Sequence, residues 1–274
     1  MLPETKFVRL GAPIVLAHGL FGFARIGVGR LTITSYFRGI PEVLRRHGNR
    51  VLVTRVPSIA GVEDRARRLG DQILRAFPDE PVHLIGHSMG GLDARRLLTD
   101  PSWRTRVLSL TTVGTPHLGT ALADFAKLRA GRVFRLLAAL GIDPQGCFDV
   151  TRRAARRSHR GQAVPAGIPC FCVAGDPATE TVCWPLQRTH AALCELEGPN
   201  DGLVPVDSAL AFGTPLPPWP LDHLRQMNWL APGETDPLVP PPIELYAQVV
   251  SHLASLGFDG GGDPEDREEK ANGD

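Results

Sequence analysis

The sequence of 274 residues predicts an α/β fold in three layers, with about six mainly parallel strands sandwiched between helices. Three observations carry that expectation. Short apolar runs alternate with longer amphipathic stretches from residue 13 to residue 113. The runs lack the polar alternation of a strand with one wet face, so they read as strands covered by helices on both sides. The third observation is the pentapeptide Gly86-His87-Ser88-Met89-Gly90, which follows the run Val82-His83-Leu84-Ile85 and precedes the helix-like Gly91-Leu92-Asp93-Ala94-Arg95-Arg96-Leu97-Leu98. Strand, sharp turn and helix in that order form an elbow that holds its central residue in a strained backbone, and glycines two positions to either side relieve the crowding. Ser88 stands at its tip as the candidate nucleophile.

The elements follow in chain order. Pro13-Ile14-Val15-Leu16-Ala17 is the first strand, entering the loop His18-Gly19-Leu20-Phe21-Gly22. Ser35 to His47 reads as a helix, with Ile40, Val43 and Leu44 on one face, Pro41 near its first turn and Gly48 as a stop. Arg50 to Thr54 is the second strand. Val62 to Phe77 is the second helix, charged outside, with Leu69, Ile73, Leu74 and Phe77 inside. The elbow strand is third, and Val107 to Val113 is fourth, ending in Gly114-Thr115-Pro116-His117, where His117 is a candidate either for the rim of a site or for a capping or packing role. From Leu118 to Pro165 the alternation breaks into helical stripes, Leu122, Phe125, Leu128, then Val133, Phe134, Leu136, Leu137 and Leu140, followed by the basic cluster Arg152, Arg153, Arg156, Arg157 and Arg160. This insertion, residues 118–165, is either a lid or a pair of surface helices; an amphipathic stripe fits both. Ile168 to Ala174 is the fifth strand, with Leu193 to Leu196 as a short further strand and a brief sixth in the proline-rich stretch Gly213 to Trp219. Ile243 to Leu256 is a C-terminal helix, and residues 259–274 read as a disordered tail behind a single domain over 1–258.

Composition narrows the function. With 43% hydrophobic and 22% charged residues the chain can bury one large core. Its 30 basic and 29 acidic side chains balance to a formal charge of +1, which excludes a global pull toward nucleic acid. Met1 to Lys6 lacks the basic and apolar regions of a secretion signal, and no apolar run is long enough to span a bilayer, so a cytoplasmic protein is expected. The five cysteines, Cys147, Cys170, Cys172, Cys183 and Cys194, show no metal-ligand spacing, so zinc is disfavoured and no metal or cofactor is expected; Cys170 and Cys172 share one strand face as buried thiols. Nothing in the sequence calls for an obligate protein partner.

A serine hydroxyl becomes a useful nucleophile when a histidine takes its proton and an acid holds that histidine's tautomer. In folds with this elbow the three follow in the order serine, acid, histidine, which sets aside His18 as a structural residue of its loop. His190, His223 and His252 lie well downstream of Ser88 and outside the insertion. His252 falls on the surface of the C-terminal helix, and His190 would need Asp176 as its acid. Asp201, in the turn Gly198-Pro199-Asn200-Asp201-Gly202-Leu203-Val204-Pro205, followed by His223 in a loop-like context, is the favoured pair. The backbone N–H groups of Leu20 and Met89, after the first strand and after the nucleophile, are the candidate oxyanion hole.

Four stretches resemble one family. Ile14-Val15-Leu16-Ala17-His18-Gly19-Leu20, Leu84-Ile85-Gly86-His87-Ser88-Met89-Gly90-Gly91-Leu92, Thr112-Val113-Gly114-Thr115-Pro116-His117 and Asn200-Asp201-Gly202-Leu203-Val204 are similar to the bacterial true lipases of the Pseudomonas and Burkholderia type, within the α/β-hydrolase superfamily. The resemblance runs from about Pro13 to Trp229. It implies the α/β-hydrolase fold without the first two strands of the full superfamily sheet, the triad Ser88, Asp201 and His223, and the oxyanion hole at Leu20 and Met89. It implies a serine carboxylic-ester hydrolase acting through an acyl-enzyme on small or lipid esters, with a lipid–water interface as the setting for lipase action. The same residues would serve an acyltransferase, and a hydrolase-fold binding protein would have no use for all three. One departure stands out: the family's structural calcium is held by an aspartate two residues after the catalytic histidine, where this chain has Arg225, a cation that repels calcium.

Overall fold

The computed structural model describes residues 7–20, 26–28, 31–34, 36–139, 143–229 and 241–260, with only the backbone for 26–28, 31–34 and 131–139. In chain order the elements are β1 (Ile14–Ala17), β2 (Ile26–Val28), β3 (Leu31–Thr34), α1 (Ile40–Arg46), β4 (Val51–Val53), α2 (Val62–Ala76), β5 (Val82–His87), α3 (Met89–Leu97) and β6 (Val107–Val113). Then come α4 (Ala121–Ala139), α5 (Gln145–Asp149), α6 (Arg152–Gly161), β7 (Cys170–Val173), α7 (Gln187–Glu197), α8 (Val206–Ala209), β8 (Thr214–Pro215) and α9 (Pro242–Leu253).

Six strands form one parallel sheet in the order β4-β1-β5-β6-β7-β8, with helices on both faces, as the three-layer α/β expectation required. Period-2 alternation sorts each strand's side chains into two cores. Ile14 and Leu16 of β1 pack with Ile85, Val113 and Val173 against Phe37, Ile40, Leu44 and the α9 residues Leu245, Tyr246, Val249, Val250 and Leu253. Val15 and Ala17 point the other way, joining Leu84, Leu110, Leu69, Ile73, Ala94, Leu97 and Trp103 beneath α2 and α3. Both faces of the central strands are dry, which is why those strands are apolar without alternation. Register places Ala17 beside Gly86, His87 beside Val113 and Val113 beside Val173, so the chain leaves four adjacent strands along one edge. Ligands of open parallel sheets gather at that carboxyl edge.

Several expectations change. A two-stranded antiparallel hairpin, β2–β3, precedes α1, and the helix expected from Ser35 begins at Ile40, after Gly39 takes a left-handed φ of 75° and with Pro41 in its first turn. Leu193 to Leu196 is no strand. It belongs to α7, whose buried His190 and Leu193 stand three residues apart on one helical face; a four-residue apolar window does not separate the two periods. On α2, Leu74 is exposed, whereas Arg65 is wholly buried. Asp259 pairs with Leu10 in an antiparallel bridge, and Gly260 N–H donates to Arg9 O at 2.9 Å, so the ordered chain runs past residue 258. The tail beyond Gly260, Leu140, and the side chains of Val133, Phe134, Leu136 and Leu137 lie outside the described residues. Earlier in α4, Phe125 is 49% exposed and Leu128 82% exposed, so this part of the insertion turns apolar groups to solvent. Among the described residues, no helix is long and apolar enough to cross a membrane.

Candidate active site

The elbow is as tight as its glycines require. Ser88 has φ 56° and ψ −130°, a region disfavoured for any residue with a side chain and typically strained by about 1–3 kcal/mol. Its N–H donates to Val113 O at 2.8 Å, and its carbonyl accepts from Gly91 N at 3.1 Å and from the Thr115 hydroxyl at 2.8 Å, so strand and helix are pinned on either side. A Cβ on Gly90 would stand 2.2 Å from Ala17 O, and one on Gly86 would stand 2.6 Å from Gly91 Cα. Only hydrogen fits at either place. Ser88 itself is half-buried, open enough to meet a substrate.

The first loop passes directly over the serine. A Cβ on Gly19 would lie 2.9 Å from Ser88 Oγ and 2.8 Å from Tyr36 Oη, so the backbone of Gly19, followed by Leu20, runs against the Ser88 side chain. Met89 opens α3, and the first N–H groups of a helix lack an acceptor within it. His18 is buried and takes no part at the surface of the site: its Nε2 accepts from Val56 N at 3.3 Å, which leaves Nδ1–H to donate to Gly19 O at 2.9 Å. Burial pushes its pKa down to about 4. The loop has a second anchor that charge patterning hid. Arg65, with none of its side chain exposed, donates from Nη2 to His18 O at 2.6 Å and from Nη1 to Pro57 O at 2.8 Å. Its Nε and Nη2 also grip the buried Asp93 carboxylate of α3, at 3.0 and 2.7 Å. Helices α2 and α3 and the loop at Gly19 are thereby held as one unit.

Asp201 and His223 lie side by side. His223 Nδ1 is 2.7 Å from Asp201 Oδ2, both side chains are buried, and the His223 N–H donates to Asp201 O at 2.8 Å. The carboxylate's other oxygen, Oδ1, accepts from Leu203 N at 3.0 Å and Val204 N at 2.7 Å, the turn that Asn200-Asp201-Gly202 creates. A carboxylate can only accept, so His223 carries its proton on Nδ1 and keeps a lone pair on Nε2. The His223 ring lies 4.6 Å, centroid to centroid, from that of His87, the residue before Ser88. Asp176, the alternative acid, is exposed, and its N–H bonds to Trp219 O. His190 is buried on α7, with Nδ1 3.8 Å from Cys194 Sγ and its carbonyl accepting from Asn200 Nδ2.

Two other histidines lie inside the fold. Of the two roles expected for His117 the structure shows packing and not the rim: it is wholly buried, Arg95 Nη1 donates to its Nδ1 at 2.8 Å, and its Nε2–H donates to Thr112 Oγ1 at 3.0 Å. Burial and the Arg95 charge hold it well below the ordinary histidine range, and so neutral. His252 packs edge-on against Phe171 at 4.7 Å, half-buried instead of on the surface. The five cysteines are free thiols, and burial pushes Cys170 and Cys183 up to about 12, which keeps them protonated.

At the calcium position of the bacterial lipases the residues do not suit a cation. The Arg225 guanidinium fills the place, donating from Nη1 to Thr181 O at 2.5 Å with Nε 3.6 Å from the buried Asp222. Asp222 in turn accepts from Leu224 N, Arg225 N and Cys183 N, which ties the loop bearing His223 to the segment 181–183.

Sequence reading missed Gln226. It is wholly buried three residues beyond His223, and donates to Asp201 Oδ2 at 2.9 Å. Two glycines make room for it: a Cβ on Gly114, at φ 53°, would stand 2.3 Å from its Oε1, and one on Gly175 would stand 2.2 Å from its Nε2. Those glycines, just past the ends of β6 and β7, were its only trace in the sequence.

Known proteins agree with this architecture. A family model described as alpha/beta hydrolase fold matches residues 61–166. The chain is 29% identical to triacylglycerol lipase 2 of Saccharomyces cerevisiae over 223 residues, 71% of this chain and 63% of that lipase. It is 38% identical to the triacylglycerol lipase of Pseudomonas fragi over 136 residues, 46% of this chain and 43% of that one. A metagenomic carboxyl esterase superposes with a TM-score of 0.71 at 20% identity, covering 88% of this chain and 75% of the esterase. The resemblance to bacterial triacylglycerol lipases therefore holds, and the chain spans less than two thirds of the length of either lipase.

Proposed function

We propose that this chain is a serine carboxylic-ester hydrolase of lipase type, with Ser88 as nucleophile, His223 as base and Asp201 as the acid that holds it. His223 Nε2 takes the Ser88 Oγ proton as Oγ attacks the ester carbonyl, and the N–H groups of Leu20 and Met89 receive the charge that develops on oxygen. The proton then passes to the departing alcohol, and water activated by the same histidine releases the acid. The observation that carries this reading is the commitment of His223 Nδ1–H to Asp201, which leaves the opposite nitrogen basic beside the strained elbow. The lipase names of its relatives support a lipid ester as substrate.

The test is hydrolysis of p-nitrophenyl esters from short to long chain, together with labelling by a fluorophosphonate. Ser88→Ala is expected to lower turnover by about 10⁶ while keeping the melting temperature; a folded variant with a tenth of the wild-type rate would overturn the mechanism. The exposed Phe125 and Leu128 on α4 support action at a lipid–water interface. The rate should then rise as the ester passes its solubility limit, and Leu128→Asp should abolish that rise; simple saturation below the limit in both proteins refutes the interface.

A further inference from the structure

We propose that Gln226 and His87 are positioning residues that lock the acid–histidine pair and tie it to the loop of Gly19 and Leu20 through one directed chain of hydrogen bonds. The inference rests on the catalytic reading above. It starts from two buried side chains that the mechanism leaves unused: the second residue of the elbow and an amide 139 positions away.

Each bond in the chain has its direction forced. Asp201 Oδ2 can only accept, so the Gln226 amide must turn its NH₂ toward it, at 2.9 Å. That orientation aims Gln226 Oε1 at His87 Nε2, 3.1 Å away, and an amide oxygen demands that Nε2 carry the proton. His87 lies 4.6 Å from His223, and burial holds it well below the ordinary histidine range and so neutral, which leaves its Nδ1 a lone pair to offer. Tyr36 Oη stands 2.7 Å from that nitrogen and donates its proton there. The tyrosine oxygen is left to accept from the backbone of Gly19, the residue that runs against Ser88. The chain therefore reads Gly19, Tyr36, His87, Gln226, Asp201, with no step reversible without orphaning a buried group.

Two consequences for catalysis follow. Asp201 Oδ2 is held by a neutral donor on one side, so it is aimed at His223 Nδ1 and does not rotate when the imidazolium forms. The loop at Gly19 and Leu20 is referred to the same network, which sets one half of the oxyanion hole against the acid–histidine pair. Neither His87 nor Gln226 is assigned contact with the reacting atoms.

Glutamate at 226 distinguishes positioning from packing. A protonated glutamic acid copies glutamine, donating O–H to Asp201 and offering C=O to His87; once ionised, it opposes the Asp201 carboxylate and can hold neither bond direction. The titratable groups facing position 226 are Asp201, His87 and His223, with Tyr36 beyond His87, while Asp222 and Arg225 point away toward Cys183 and Thr181. The experiment measures kcat and KM for p-nitrophenyl butyrate from pH 5 to 9, and the fluorophosphonate labelling rate at Ser88, in the full chain. Wild type, Gln226→Leu, Gln226→Glu, Tyr36→Phe and the Tyr36→Phe/Gln226→Leu double variant are compared. Gln226→Leu should lose about tenfold or more in kcat with KM within about twofold. Gln226→Glu should approach wild type at the acid end and lose activity as pH rises, opposite to the wild-type trend. The double variant should lose less than the product of the two single losses, since one break already opens the chain. A Gln226→Glu profile parallel to wild type, or additive losses in the double variant, overturns the proposal. Should Gln226→Leu fail to fold, the two near-isosteric variants decide alone. Wild type that neither hydrolyses nor labels at Ser88 overturns the catalytic reading itself, whereas variants that label at the wild-type rate overturn only the network.

Discussion

Asp201→Asn changes one atom, and the structure dictates where the new NH₂ must go. The Oδ1 site faces two main-chain donors, Leu203 N at 3.0 Å and Val204 N at 2.7 Å, so the asparagine oxygen has to occupy it. The NH₂ then falls on the Oδ2 site, 2.7 Å from His223 Nδ1, where it can only donate. His223 must shift its proton to Nε2, leaving no base toward Ser88. Loss of the correct tautomer costs serine hydrolases about 10⁴ in kcat, equivalent to about 5.4 kcal/mol of transition-state stabilisation. The turn keeps both main-chain bonds and KM should stay near wild type, while the new NH₂ meets the Gln226 Nε2 donor that Oδ2 had accepted from, so the melting temperature should fall measurably with the protein still folded at assay temperature. The assay is p-nitrophenyl butyrate hydrolysis, with a melting curve on the same sample. Asp176→Asn is the control: its side chain is exposed, and its loss should leave kcat within about twofold. A folded Asp201→Asn protein retaining a tenth of wild-type kcat, or an inactive Asp176→Asn, would refute the reasoning.

Two further outcomes concern stability. Arg65→Met leaves the Asp93 carboxylate buried without its partner and the His18 carbonyl without a donor, so urea unfolding should show a loss of about 3–5 kcal/mol, with much of it regained in Arg65→Met/Asp93→Leu; a loss under 1 kcal/mol would show the pair to be dispensable. Stability should also fall on acidification from pH 6.5 toward 4, because His18 and His83 are each pushed down to about 4 by burial and so bind protons only after the unfolded chain does. Each is worth about 3 kcal/mol by linkage, His87 and His117 act in the same sense, and Asp93, raised to about 6, opposes them between 3.8 and 6. A urea midpoint that does not change between pH 7 and 4.5 contradicts this balance.

What the chain revealed on its own was local. The elbow was legible because a strand, five residues with two glycines and a helix are consecutive, and the steric demand on Ser88 is met within that span. The buried strands were legible because a covered face leaves an unbroken apolar run. Asp201 and His223 could be chosen by order along the chain, since the connectivity of the sheet brings later loops to the edge where earlier strands end. The tertiary structure alone decided the rest. Leu193 to Leu196 is too short to show its period, and its neighbours make it helical. Arg65 sits among exposed charges in its helix, and only the meeting of Asp93, Pro57 and the His18 carbonyl makes a buried guanidinium tolerable there. Gln226 becomes meaningful because Gly114 and Gly175, from two different strands, leave the space that admits its amide between His87 and Asp201. A hydrogen bond between residues 139 positions apart leaves no periodicity in either segment, because its geometry is set by how the strands stack and not by the composition of the segments it joins.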